Sequence, residues 1–230
     1  MRWLATTFLT LVAVTGCGRK TSSPAIAPAP PLPAVTIGQV PAPPAPTITV
    51  TAGSNLRSIG GAAYGHERFS GFIAALNGIT DPEHIQAGAA LKTPSLAAAF
   101  SDVGADPAYQ PAINALAKAC TDYYAFEPSY LDARRAGGVS KGKFAIDGRM
   151  SAKLIACADS VDAGVAALST VSPPHTVPTM ALGQFRQAAD HIRELATGMI
   201  DGYGYDYDLV GQRFGLAFTN ALIWTQQQHR

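Results

Sequence analysis

The feature that most constrains the fold is a strand–helix–helix–strand pattern in residues 47–96. From position 47 to position 52, threonine alternates with apolar residues, which is typical of a short, half-buried strand. Gly53 then breaks the strand, and Ser54 is predicted to be the N-cap of a helix. The apolar face of that helix is predicted to consist of Leu56, Ile59 and Ala63.

The second half of this segment repeats the pattern in reverse. A short helix is predicted over residues 67–76, and Asn77-Gly78 supplies its end because glycine accepts the left-handed conformation that helix ends often require. Residues 90–93 then form a second predicted strand, which Pro94 stops. Gly60 and Gly61 disagree with the pattern, since each costs roughly 1 kcal/mol against alanine inside a helix. The order indicates a self-contained βααβ module.

These residues resemble the lysin motif (LysM) domain, a small βααβ module that binds glycans containing N-acetylglucosamine. The resemblance rests on the residues at 48–50, 52–56, 58–59, 64–65, 77, 81–82, 85, 88–91 and 93–94. Two places depart from the usual pattern: Ser54-Asn55 stands where an acidic residue followed by threonine is common, and Ala89 where glutamine often follows the glycine.

The resemblance implies a glycan groove between two loops. We call the loop before the first helix the first lip, formed by Gly53, Ser54, Asn55 and Leu56. We call the loop after the second helix the second lip, formed by Ile79, Thr80, Asp81 and Pro82. Backbone groups of these turns are expected to pair with an acetamido group, while Leu56 and Ile79 pack on its methyl. Alternatively, Ser54 and Asp81 serve only as cap and turn residues, and the module is a spacer or a protein contact.

Residues 1–17 have the character of a bacterial lipoprotein signal. One arginine precedes an apolar run that is too short to span a membrane, and the ending Val14-Thr15-Gly16-Cys17 resembles a lipobox. The resemblance implies cleavage before Cys17 and acylation of that cysteine, and Gly18 after it resembles the pattern of an outer-membrane destination. A plain signal peptide with a free Cys17 is the alternative. The expected location is the bacterial cell envelope, lipid-anchored and facing the periplasm.

Residues 18–46 are predicted to be a disordered tether. They are rich in proline and alanine and cannot bury enough apolar surface to fold. At about 3.1 Å per residue in extended polyproline conformation, the reach of the tether is on the order of 90 Å.

Residues 106–230 are predicted to form an antiparallel helical bundle. Four amphipathic stripes cover residues 113–124, 150–168, 182–199 and 209–224, with short turns between them. Asp147 is a predicted helix cap, and Pro128 is predicted to open a separate short segment. The overall fold class is therefore α+β, with a small βααβ module followed by an all-α domain.

Cys120 and Cys157 lie on two of these apolar stripes. Because an exported protein meets an oxidising environment, a disulfide between them is expected, which would stabilise the bundle by roughly 3–4 kcal/mol. Two inert buried thiols are the main alternative, and a cysteine nucleophile with His175 or His191 is the weaker one.

Catalytic patterns are not evident in the sequence. We find no zinc-binding histidine motif, no serine nucleophile elbow and no pair of carboxylates placed for glycoside hydrolysis, and we expect no metal or cofactor. The near-neutral charge gives no reason to expect a nucleic-acid partner. The loop at 201–208 alternates tyrosine with glycine and aspartate; it either packs on the bundle or contacts a sugar or a partner.

The sequence thus predicts a non-catalytic, membrane-anchored lipoprotein that binds peptidoglycan, with a helical domain that serves as a scaffold or contacts an envelope protein. The alternatives are a wall-remodelling hydrolase and an assembly or secretion component that uses the LysM-like fold as a protein contact.

Lipidation is directly testable. Replacing Cys17 with serine removes the only nucleophile that a lipobox acylates, so Cys17→Ser should accumulate as a precursor that carries no lipid. Mass spectrometry and detergent-phase partitioning measure this, and a mature mutant chain that still partitions into the detergent phase would contradict the lipobox interpretation.

Overall fold

The computed structural model describes residues 45–136, 142–143, 146–171, 177–200 and 206–228. These residues belong to one compact unit. The signal segment, Cys17 and nearly all of the tether lie outside the described residues, so the structure does not test those predictions. Within the described residues, no helix is both long and apolar enough to cross a membrane.

The βααβ order is confirmed. Strand β1 (Thr47–Thr49) pairs antiparallel with strand β2 (Ala90–Lys92), and Ile48 lies opposite Leu91. Helix α1 (Leu56–Tyr64) follows the first strand. The predicted second helix consists of a 3₁₀ turn (Glu67–Phe69) that continues into helix α2 (Ser70–Asn77).

The N-cap of α1 is Asn55, so the prediction of Ser54 was wrong by one residue. The Asn55 side chain accepts from the backbone N–H of Ser58 at 2.9 Å, and the Ser58 hydroxyl lies 3.2 Å from the backbone N–H of Asn55. This reciprocal capping box satisfies two backbone donors at the helix start. The Ser54 hydroxyl instead bonds the Thr51 hydroxyl at 2.6 Å.

Two residues before the predicted module boundary at residue 47 also take part in the strand pairing. The backbone N–H of Thr93 donates to the carbonyl oxygen of Pro46 at 2.9 Å, and the Thr93 hydroxyl donates to that of Ala45 at 2.7 Å. Thr93 is completely buried. The last two residues of the predicted tether therefore extend the β1–β2 ladder.

Four long helices follow, as predicted from the four stripes. They are α4 (Gln110–Ala136), α5 (Gly148–Ser169), α6 (Thr179–Ala196) and α7 (Asp206–Gln228), and each packs against the next. Asp147 caps α5 as expected, accepting from the backbone N–H of Arg149 at 3.0 Å. The structure adds elements that the sequence did not predict: helix α3 (Leu96–Asp102), a 3₁₀ turn (Pro107–Tyr109), and strands β3 (Gly142–Lys143) and β4 (Met199–Ile200), which pair antiparallel.

Pro128 does not begin a new segment, because α4 continues through it to Ala136. A proline inside a helix removes one backbone hydrogen bond and crowds the preceding turn. Burial of apolar groups outweighs that cost here: Phe126 before the proline and Tyr130 after it are both buried, with Tyr130 only 1% exposed. Pro128 itself lies on the exposed side of the helix.

The βααβ segment and the helices after it share one hydrophobic core. Phe218 of α7 lies at its centre, with ring centroids 6.1 Å from Phe69 and 6.4 Å from Phe72 of the βααβ segment. The same ring contacts Phe100 of α3 at 6.3 Å and Phe185 of α6 at 5.0 Å. All five side chains are at most 1% exposed. The segment predicted to be self-contained is therefore built onto the last helix of the bundle.

Two glycines on α7 allow this close packing. A Cβ atom added at Gly215 would lie 2.6 Å from the carbonyl oxygen of Arg68, and one added at Gly211 would overlap the ring of His66. Gly65, at the end of α1, has a left-handed backbone with φ of 87°, and a Cβ atom added there would lie 2.8 Å from Cγ of Tyr124 on α4. Small residues at these positions let the chain around residues 65–68 approach the bundle directly.

We predict that Gly215→Ala lowers the free energy of unfolding by about 1–3 kcal/mol, because the new methyl group meets backbone atoms that cannot move independently. Gly183→Ala on α6 is the matched control, since a Cβ there meets no atom within 4 Å. The control should be unchanged or more stable by up to about 1 kcal/mol, the helix-propensity difference. Urea unfolding of residues 45–230 measures both. Equal stability of the two variants would contradict the close approach.

Candidate functional site

The first lip is a tight turn joined to the start of α1. Gly53 has φ of 82°, a left-handed conformation that favours glycine, and its neighbour Ser54 donates its backbone N–H to Thr51 at 3.1 Å. Gly53 and Asn55 are exposed and Ser54 is partly exposed. The capping box of α1 begins at Asn55, so the turn and the helix start form one hydrogen-bonded unit.

Leu56 does not belong to the surface of this lip. Its side chain is 2% exposed and is part of the shared core. The expectation that Leu56 packs on an acetamido methyl is therefore corrected, because a side chain this buried is not available to a ligand. The helical periodicity that placed Leu56 on the apolar face of α1 was the better guide to its role.

The second lip follows the left-handed end of α2 at Gly78. The backbone N–H of Ile79 donates to Ala74 at 2.9 Å, and the Ile79 side chain is half-buried against the core. Asp81 accepts from the backbone N–H of Glu83 at 3.2 Å, and its other carboxylate oxygen lies 2.8 Å from Nδ1 of His84. Thr80, Asp81 and Pro82 are exposed. Asp81 thus serves as a turn residue, as the alternative interpretation expected.

Asn77 fixes the base of the second lip to the sheet. Its side-chain amide donates to the carbonyl oxygens of Ile73 at 2.9 Å and Lys92 at 3.0 Å, and its oxygen accepts from the backbone N–H of Lys92 at 2.7 Å. One side chain therefore pairs with both backbone groups of an outer strand residue. Beyond β1, Val50 pairs with Ala89 at 2.9 Å and with Gly88 at 2.8 Å, which continues the ladder toward the first lip.

Two cavities in the helical part were not found by sequence reasoning. One, of about 300 Å³, lies between α4 and α5 and is lined mainly by apolar groups, among them Tyr123, Phe126, Leu154 and Cys157. The other, of about 290 Å³, lies where the turn after α3 meets the end of α7, beside Tyr109 and Trp224. Periodicity places these residues on helices but does not reveal gaps between helices.

The structure contains Cys120 and Cys157 as free thiols, so it lacks the predicted disulfide. The two residues do lie on facing helices, because Sγ of Cys157 donates to the carbonyl oxygen of Ala119, next to Cys120, at 3.1 Å. That hydrogen bond directs the Cys157 thiol to the backbone of α4. Burial raises the pKa of the Cys157 thiol to about 12, and the charge of Asp122 adds to the shift. Burial also raises the pKa of Cys120 well above its ordinary range.

The carboxylates around Glu194 form structural ion pairs. Arg193 of α6 binds Asp159 at 2.8 Å and Asp162 at 2.5 Å, both on α5, while Glu194 lies 3.0 Å from His191. Within the part of the chain that the structure describes, no group of three histidine, cysteine or acidic residues is placed to hold a metal ion. Residues 201–205 of the tyrosine-rich loop lie outside the described residues, and residues 206–208 form the first turn of α7.

Comparison with known proteins gives no identity: no protein-family model, no curated protein and no solved structure matches this chain.

The thiols should react slowly in the folded protein. With a pKa of about 12, the thiolate fraction of Cys157 at pH 8 is on the order of 10⁻⁴. Iodoacetamide labelling of residues 45–230 at pH 8 should therefore be at least about a hundredfold slower than in denaturant. The raised pKa also makes the free energy of unfolding depend on pH. The contribution from the neutral, buried Cys157 thiol is fully present below pH 9 and is lost as the pH rises toward about 12. Equal labelling rates with and without denaturant would contradict the predicted protection of the thiols.

Proposed function

We propose that this chain is a non-catalytic lipoprotein that binds peptidoglycan through its βααβ segment and is anchored to a bacterial membrane by lipid on Cys17. The observation that supports the proposal most is the way in which the helical domain packs. It covers the helices of the βααβ segment and leaves the exposed residues of both lips accessible to solvent.

The packing surface can be traced residue by residue. Phe69 and Phe72 contact α7 from the side of the 3₁₀ turn and α2. Near the end of α7, Gln226 donates its side-chain amide to the carbonyl oxygen of Ala75 at 3.1 Å. None of these residues belongs to a lip. An extended polymer can therefore approach the lips without displacing the bundle.

The chemistry of the lips suits a neutral, acetamido-bearing sugar. The exposed turns present backbone amide and carbonyl groups, and the Ser54 and Thr80 side chains add hydroxyl groups. Ile79 remains half-buried at the second lip and provides an apolar surface for a methyl group. Because the contacts are neutral hydrogen bonds and one apolar contact, binding is expected to depend only weakly on salt.

Both lips are held in place before any ligand arrives. The capping box at Asn55 fixes the first lip, and the Asp81 turn together with the Asn77 bridge fixes the second. A site that is already ordered loses less conformational entropy on binding than a flexible loop does. The bundle acts in this proposal as the rigid base of the glycan site, and the tether provides the reach between membrane and wall.

We predict that the double variant Thr80→Ala/Asp81→Ala weakens binding to insoluble peptidoglycan about tenfold, which corresponds to the loss of one or two hydrogen bonds. The matched control is Asp102→Ala, because Asp102 is an exposed carboxylate at the end of α3, outside both lips. Co-sedimentation of residues 45–230 with purified peptidoglycan measures binding, and thermal melts confirm that the variants are folded.

Unchanged binding of a folded Thr80→Ala/Asp81→Ala variant would show that the Thr80 and Asp81 side chains do not contact the glycan. If the parent protein does not sediment with peptidoglycan, the glycan-binding proposal fails, and the βααβ segment is a spacer or a protein contact.

A further inference from the structure

The cavity beside Tyr109 and Trp224 has the form of a corner with two aromatic walls. The rings of Tyr109 and Trp224 stand almost at right angles, with an interplanar angle of 85° and centroids 6.0 Å apart. The remaining lining comes from Gly104, Asp106, Pro107, Thr225 and Gln228. Tyr109 is 4% exposed and Trp224 is partly exposed, so the tryptophan forms the accessible wall.

The lining restricts the chemistry of a ligand. Among the described residues, the lining contains no lysine, arginine or histidine, and Asp106 is its one carboxylate. The Asp106 carboxylate already accepts from the backbone N–H of Ala108 at 2.8 Å, and the Thr225 hydroxyl donates to the carbonyl oxygen of Ala221 at 2.9 Å. The exposed Gln228 amide carries both a donor and an acceptor at the rim. Aromatic walls with a neutral polar rim suit a ligand that has apolar faces and hydroxyl or amide edges.

A pyranose ring has this character, because its C–H groups form apolar faces and its hydroxyl groups lie at the edge. The volume of about 290 Å³ is at the small end of ligand sites, which span roughly 300–1,000 Å³. The cavity therefore has room for a single sugar residue rather than an oligosaccharide.

We propose that this cavity binds one N-acetylhexosamine residue of a wall glycan, as a second sugar site separate from the lips. The choice of this sugar rests on the proposed function, since a glycan strand carries many copies of the same unit. The two sites belong to the same compact unit, and Gln226 holds the end of α7 to α2 beside the cavity. A second contact on the same polymer raises the overall affinity through effective concentration, without any new contact at the lips.

Trp224 makes this site directly observable. The sequence contains two tryptophans, Trp3 and Trp224, and the proposed function removes Trp3 with residues 1–16, so the mature chain has Trp224 as its single tryptophan. Titration of this chain with N-acetylglucosamine, and then with its tetramer, should give a saturable shift of tryptophan emission. Glucose at equal concentration controls for solution effects, and a zwitterionic detergent without a sugar headgroup avoids competition for the cavity.

Variants separate the two sites. Thr80→Ala/Asp81→Ala in the mature chain should retain the emission shift, because the lips are not part of the cavity. Trp224→Leu should weaken tetramer binding roughly fivefold, as expected for the loss of one aromatic contact, when measured by calorimetry. Ile223→Ala is the matched control, because Ile223 is 38% exposed on the same helix and does not line the cavity. Thermal melts of both variants establish that they are folded.

The possible outcomes decide between the proposals. A saturable shift that survives the lip variant supports the second site. No shift, while the parent still sediments with peptidoglycan, overturns the second site and leaves the proposed function intact. A shift that disappears in the lip variant also overturns it, because the tryptophan then reports binding at the lips. If emission before sugar addition differs between the mature chain and residues 45–230 in the same detergent, the proline-rich segment occupies the cavity, and the sugar site is again overturned.

Discussion

The packing of α7 against the βααβ segment is the interaction on which the rest of this structure depends. A segment of about fifty residues buries little apolar surface by itself, and small domains are correspondingly marginal. Here Phe69 and Phe72 are completely buried partly because the Phe218 ring covers them. Gly211 and Gly215 allow the chain near residues 66–68 to approach the helix backbone. The βααβ segment and the bundle therefore stabilise one another.

Because of this shared core, the two lips of the proposed glycan site cannot turn relative to the bundle. A module joined to a scaffold only by a linker would sample many orientations, whereas the lips here have a fixed orientation relative to all four long helices. In the proposed function, the whole folded unit, and not only the βααβ segment, would therefore lie beside the wall polymer.

The charged side chains around Glu194 form ion pairs within α6 and between α5 and α6. Arg193 bridges two aspartates of α5 from its position on α6, and the nearby Glu194 pairs with His191 on its own helix. Such exposed pairs contribute little individually, generally less than about 1 kcal/mol. The pairs of Arg193 link α5 to α6, as does the Ser151 hydroxyl, which donates to the carbonyl oxygen of Ala196 at 2.8 Å. The Cys157 thiol also makes a structural contact, because it donates to the carbonyl oxygen of Ala119 on the neighbouring helix.

The sequence by itself determined the local elements, because strand alternation, helical stripes and helix-ending glycines act within a few residues of one another. It therefore predicted the βααβ order, the four long helices and the cap at Asp147. Tertiary structure decided what depends on distant neighbours. At Gly60 a larger residue would be too close to the next element, because a Cβ there would lie 3.0 Å from the backbone nitrogen of Ser70. Likewise, α4 passes through Pro128 and Trp224 borders a cavity, because each is positioned by packing between elements that no local pattern encodes.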